Sequence, residues 1–136
     1  MRFSRRWPAT LLWAAAIFWL SSQSRPLGRR WGTLPSALAH VFEFAVLAAL
    51  LHRALGAGPA RGGRPAALAF ALTALYAASD EVHQVFVPER TATPVEYGLD
   101  LLGASLGVVV SRRWAACAAK RAGSAAPGSA AKTSEP

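Results

Sequence analysis

A cluster of ionisable residues lies in the least polar part of this chain, and that placement limits the possible folds more than any other feature. Residues 79–100 read SDEVHQVFVPERTATPVEYGLD and carry Asp80, Glu81, His83, Arg90, Glu96 and Asp100. The run before them, 65–78 (PAALAFALTALYAA), and the run after them, 101–110 (LLGASLGVVV), hold no charge. In water such a cluster would be a solvated loop. In a bilayer, ionisable groups are costly and turn toward a partner or a cavity.

Composition favours the second setting. Of 136 residues, 53% are hydrophobic and 16% charged, against about 25% charged in soluble domains. That length suits one domain. The net charge is +8, but the basic residues fall in short groups between apolar runs. No continuous basic face with interleaved aromatics appears, so nucleic acid is not an expected partner. Cys117 is the single cysteine, which excludes an internal disulfide.

Four apolar segments are expected to form an all-α, four-helix transmembrane bundle over residues 1–114, with spans at about 8–22, 34–55, 65–87 and 95–112. The first apolar run, 8–20, would be about 20 Å long as a helix, short of the ~30 Å hydrocarbon core. Ser21 and Ser22 extend it by bonding back to helix carbonyls. A secretory signal peptide is the competing reading. Ser22, Gln23 and Ser24 make a poor cleavage site, and three more apolar runs follow. Residues 25–32 and 56–64 are Gly- and Pro-rich links. Pro88 stops the third span, making 88–94 a loop. His52, near the end of the second span, reads as an interfacial residue. Residues 115–136, rich in Ala, Ser, Gly, Lys and Pro, read as a disordered tail with a turn or two of helix at its start.

Four spans put both termini on one side. With that side cytoplasmic, the inner segments hold Arg2, Arg5, Arg6, Arg53, Arg61, Arg64, Arg112, Arg113, Lys120, Arg121 and Lys132. The outer ones hold only Arg25, Arg29, Arg30 and Arg90, as the excess of inner positive charge requires. Trp7 and Trp114 would join an inner aromatic belt and Trp31 an outer one. His40 then lies about 9 Å, Asp80 about 10 Å and Asp100 about 8 Å below the outer surface, at 1.5 Å per residue. The pairs His40/Glu43, Asp80/His83 and Glu96/Asp100 each share a helix face by spacing. Faces turned inward would let these residues and Arg90 satisfy one another; facing lipid would leave unpaired charges.

Carboxylates and imidazoles so placed can carry out acid–base catalysis, relay protons or bind a divalent metal. His40, Glu43, Asp80, His83 and Asp100 are the catalytic candidates; His40, Glu43, Asp80 and His83 are the metal candidates, although no HExxH signature is present. Ser79 and Thr91 are weak candidate nucleophiles. The planar fork of Arg90 suits a lipid-linked or anionic ligand at the outer surface. Gly103 and Gly107, in GASLG, permit a close helix partner. The competing structural reading is a polar network that locks the helices together.

Residues 80–107, DEVHQVFVPERTATPVEYGLDLLGASLG, resemble the DE-x-HQ-x-F-x-P-x-R stretch of the VanZ-like membrane proteins and the aspartate and glycine that follow it. SSQS at 21–24 and H-x-x-EF at 40–44 match too, so the likeness covers about 18–110. Glu89 departs from the pattern, standing where the family often has glycine after the proline. The resemblance implies a small four-helix integral membrane protein, and it marks Gln23, His40, Glu43, Asp80, Glu81, His83, Gln84, Arg90 and Asp100 as candidate functional residues. Glu96 is added by the local spacing. The family's namesake is associated with low-level resistance to the glycopeptide teicoplanin.

The expected function is therefore an envelope role with an outward-facing polar site for a lipid-linked or surface ligand. Three others compete. One is a membrane-embedded, metal-assisted hydrolase or transferase. One is a proton-coupled carrier, which the nearly apolar inner halves of the spans (Thr73 and Ser105 excepted) argue against. The last is a structural or partner-binding subunit.

Overall fold

The structure, a computed structural model, describes residues 6–24, 33–56, 63–90 and 92–124. Among these it is all-α: α1 (Trp7–Ser21), α2 (Thr33–Ala54), α3 (Arg64–Val85) and α4 (Pro94–Ser124). Proline opens α1, α3 and α4 in their first turns, where a missing N–H costs nothing. Gly56, at φ 83°, ends α2 in the left-handed conformation that glycine adopts freely.

The strongest packing joins α2 to α4, with α3 against both and α1 laid over α2 and α3. Contacts between α2 and α4 advance in the same direction along both chains: His40 meets Asp100, Val41 meets Gly103, Ala45 meets Gly107 and His52 meets Ser111. The two helices are therefore parallel. A Cβ on Gly107 would lie 2.8 Å from the Ala45 carbonyl carbon, and one on Gly103 would lie 3.0 Å from that of Val41. The close approach anticipated from GASLG is thus made within the chain, onto α2.

Five of the ten core-cluster residues are alanine (Ala48, Ala66, Ala69, Ala77 and Ala104), with Ile17, Phe44, Leu47, Leu51 and Val108 completing it. Small residues let the backbones approach. Large apolar side chains point out from every helix, among them Leu12, Trp19, Leu38, Phe42, Leu75, Val85, Leu102 and Val110. Asp80, Gln84, Asp100, His40, Thr73 and His52 point in. Among the described residues one helix segment, Ser36–Ala54, is long and apolar enough to cross a membrane; Trp7–Ser21 is apolar but shorter.

Three expectations change. First, α4 continues to Ser124, further than the turn or two expected beyond 114: Ala and Arg favour helix, and no proline interrupts them. Residues 125–136 lie outside the described residues, as do Trp31, most of both Gly- and Pro-rich links, and Thr91. Second, α3 ends at Val85, two residues early, because Pro88 disfavours helical geometry in the residue before it. Third, His52, expected as an interfacial residue near the end of its span, is buried at 4% exposure, and its Nδ1 lies 2.8 Å from Ser111 Oγ, so it also joins α2 to α4.

Candidate functional site

The ends of four elements converge here. From α3, spacings of three and four residues align Asp80, His83 and Gln84 along the side that meets α1, while Glu81 faces the start of α4. Asp80 is buried; its Oδ2 accepts hydrogen bonds from Ser21 Oγ at 2.8 Å and from Gln84 Nε2 at 2.9 Å. Gln84, 1% exposed, is thereby fixed as a support for Asp80. From α2, His40 Nδ1 sits 2.9 Å from Oδ1 of Asp100 on α4, both residues buried. Glu43 is half-buried, and its carboxylate interacts electrostatically with His40, Asp80, Asp100 and Arg90.

Glu81 Oε2 accepts the backbone N–H of Thr93 at 3.1 Å. Thr93 is the cap of α4: its Oγ1 accepts the Glu96 N–H at 3.2 Å and donates to Glu96 Oε2 at 3.1 Å. In an ordinary capping box the glutamate three residues on takes the cap's own N–H. Here Glu81 takes it from a neighbouring helix, which ties α3 to the start of α4. Glu81 also feels the charges of Asp100, Glu96 and His40.

The loop between α3 and α4 aims Arg90. Val87, Pro88, Glu89 and Arg90 form a turn closed by the Arg90 N–H on the Val87 carbonyl at 3.2 Å. Proline second and Glu89 third at φ 64° give it the type II pattern. Glu89 thus stands at the position where a glycine fits without strain, and the turn forms regardless. Arg90 then donates from Nε to Gln23 O (3.2 Å) and from Nη2 to Leu20 O (2.8 Å), capping α1. An anion at Arg90 would meet chiefly the remaining Nη1. The side chain of Gln23 bonds back to Trp19 O.

His83 turns toward α1. Its ring stacks on Phe18 at 4.5 Å, and Nε2 lies 3.0 Å from Ser22 Oγ. The single hydroxyl proton of Ser22 goes to Phe18 O at 2.7 Å. His83 Nε2 must therefore be the donor, which is the wrong sense for a base activating Ser22. The metal set His40, Glu43, Asp80 and His83 is likewise not assembled: among the described residues, no three His, Cys, Asp or Glu side chains are grouped to hold a metal ion. Ser79 donates to Tyr76 O and stays outside the site.

The site has a surplus of acid. Glu43, Asp80, Glu81, Glu96 and Asp100 face Arg90 and His40. Three buried carboxylate oxygens, Asp80 Oδ1, Glu81 Oε1 and Asp100 Oδ2, have no hydrogen-bond partner among the described residues. Such oxygens call for a proton or a donor group.

A family model described as VanZ/LLP1 matches residues 36–115, more than half of the chain. The chain belongs to the VanZ/LLP1 family. No curated protein and no solved structure matches it. The VanZ/LLP1 segment includes His40, Glu43, the α3 cluster, Arg90, Glu96 and Asp100, and leaves α1 outside. Yet α1 supplies Ser21 and Ser22, and the Ala14 carbonyl takes the Tyr76 hydroxyl at 2.7 Å. Ser21, Ser22, Thr93 and Tyr76 were missed by reasoning from charge alone. Thr93 was legible, since Thr-Pro-Val-Glu is a helix-start signature.

Proposed function

We propose that this VanZ/LLP1 protein is integral to the cell membrane, crosses it four times with both termini in the cytoplasm, and uses its buried acidic site, near the outer surface, to engage a lipid-linked or surface-exposed ligand of the cell envelope. The observation that carries this reading is the set of three unpartnered carboxylate oxygens contributed by α3 and α4 beside the His40–Asp100 pair. Unmet buried charge is destabilising, so carboxylate oxygens that the protein's own groups leave unpartnered suit a donor group on a ligand. The inside-out distribution of polarity supports the bilayer as surroundings: apolar side chains outward on every helix, Asp80 and Asp100 inward. Parallel α2 and α4 fit spans entering from the same side.

Two measurements test this. Cys117 is exposed near the end of α4. A membrane-impermeant maleimide is expected to label it only in permeabilised cells, whereas Glu89→Cys in a Cys117→Ser background is labelled in intact cells. The reverse pattern would overturn the topology. Expression in a teicoplanin-susceptible bacterium is expected to raise the inhibitory concentration, and Asp80→Asn at unchanged protein level to abolish the rise.

One observation favours a second reading, a membrane-embedded hydrolase or transferase. Asp100 holds His40 through Nδ1, the arrangement that orients an imidazole for proton transfer at Nε2. In that case His40→Gln would stop turnover of an envelope lipid substrate while leaving its binding intact.

A further inference from the structure

Beside the acidic cluster lies an open depression of about 390 Å³, lined by Ala78, Glu81, Ala92, Thr93, Pro94 and Tyr97. That volume is in the range of small-molecule sites, which are mostly apolar with a few polar groups. Here the only ionisable carboxyl in the wall is that of Glu81. Its Oε2 is held by the Thr93 N–H, while Oε1 is covered and has no partner. The last torsion of a glutamate is broad, so the carboxyl of Glu81, a residue of the depression's wall, can turn toward a ligand there. Asp100 and Glu96 reinforce the negative field at Glu81. Asp100, with no exposed surface, also has Oδ2 unpartnered. The cations nearby are engaged elsewhere: Arg90 with the carbonyls of α1, His40 with Asp100.

We propose that this depression binds a membrane-resident amphiphile bearing a primary ammonium group, with hydrocarbon against Ala78, Ala92, Pro94 and Tyr97 and the ammonium on the Glu81 carboxylate. A primary ammonium brings positive charge and three N–H donors, which suits a carboxylate of which Thr93 engages only one oxygen. A quaternary ammonium offers the charge without the donors, and an alcohol offers a donor without the charge. This rests on the envelope-ligand reading above and adds the chemical class of the ligand.

The test uses the full chain in phosphatidylcholine nanodiscs, with calorimetric titration of dodecylamine, dodecyltrimethylammonium and dodecanol, each corrected against empty nanodiscs. Saturable binding of dodecylamine, at least tenfold tighter than either comparison amphiphile, is expected. Glu81→Gln keeps an acceptor for the Thr93 amide and is expected to weaken dodecylamine at least tenfold. Ala78→Trp or Ala92→Trp, whichever retains the parent's melting temperature, fills the depression and removes binding. Glu89→Gln, outside it, binds as the parent does. Equal binding of dodecylamine and dodecanol, or of the parent and Glu81→Gln, would overturn the proposal; equal binding of the two amines would overturn its requirement for a primary amine. Nanodisc binding is indifferent to orientation in a cell, so this outcome and the maleimide result can fail independently.

Discussion

The carbonyl of Ala45 fills the space that a side chain on Gly107 would need. Contact between α2 and α4 is therefore backbone to side-chain-free backbone, and the His40–Asp100 bond forms because the helices are that close. Gly107→Ala is expected to destabilise by about 2 kcal/mol, in the range of overpacked cores, with Gly103→Ala milder. Gly98→Ala provides the control. Open space surrounds Gly98, and alanine's helix preference predicts no loss, or a gain of up to about 1 kcal/mol. Unfolding followed by circular dichroism in mixed detergent micelles checks the order.

Removing one member of the His40–Asp100 pair strands the other in the interior. Asp100→Ala is expected to cost about 3 kcal/mol, as for other broken buried pairs. The double variant His40→Ala/Asp100→Ala should cost less than the sum of the two singles, because each single already loses the shared bond. An additive double variant would show that the two residues act separately. The same unfolding assay reads all three.

Arg90 caps α1 from a distant turn. Arg90→Ala is expected to cost about 2 kcal/mol, since two donors from a charged group are lost. Faster hydrogen exchange at the amides of Ser22 and Gln23 would mark the frayed end. Arg90→Lys should recover less than half, because an ammonium cannot reproduce the two-pronged geometry.

Glu89 holds φ 64° in the turn that aims Arg90. Glu89→Val should destabilise by about 1 kcal/mol or more relative to Glu89→Gly, because a branched side chain crowds the left-handed conformation. Thermal unfolding of the pair checks this. Equal midpoints would mean that the turn relaxes freely.

The all-α fold was readable because long apolar runs are separated by Gly- and Pro-rich links. His40, Asp80 and Asp100, placed at one height by counting residues, do share one cluster. What counting could not supply was direction. Asp80 and His83 share a helix face by spacing, yet the first goes into the core and the second stacks on Phe18, since α1 crosses there. The polar partners on α1 were hidden for a similar reason: serines in an apolar run look like helix-tolerant fillers. The length of α4 was hidden because an Ala-rich segment with Lys, Ser and Gly has the composition of both a tail and a good helix.

The parallel arrangement of α2 and α4 has a consequence for biogenesis. A nascent chain made in order places His40 long before Asp100 is synthesised, and the ridge of Val41 and Ala45 waits with it. The principal interface therefore closes only when the final helix arrives, past α3. Until then an imidazole stands alone in the assembling protein, so a chain cut short before Pro94 would be a natural substrate for cellular quality control.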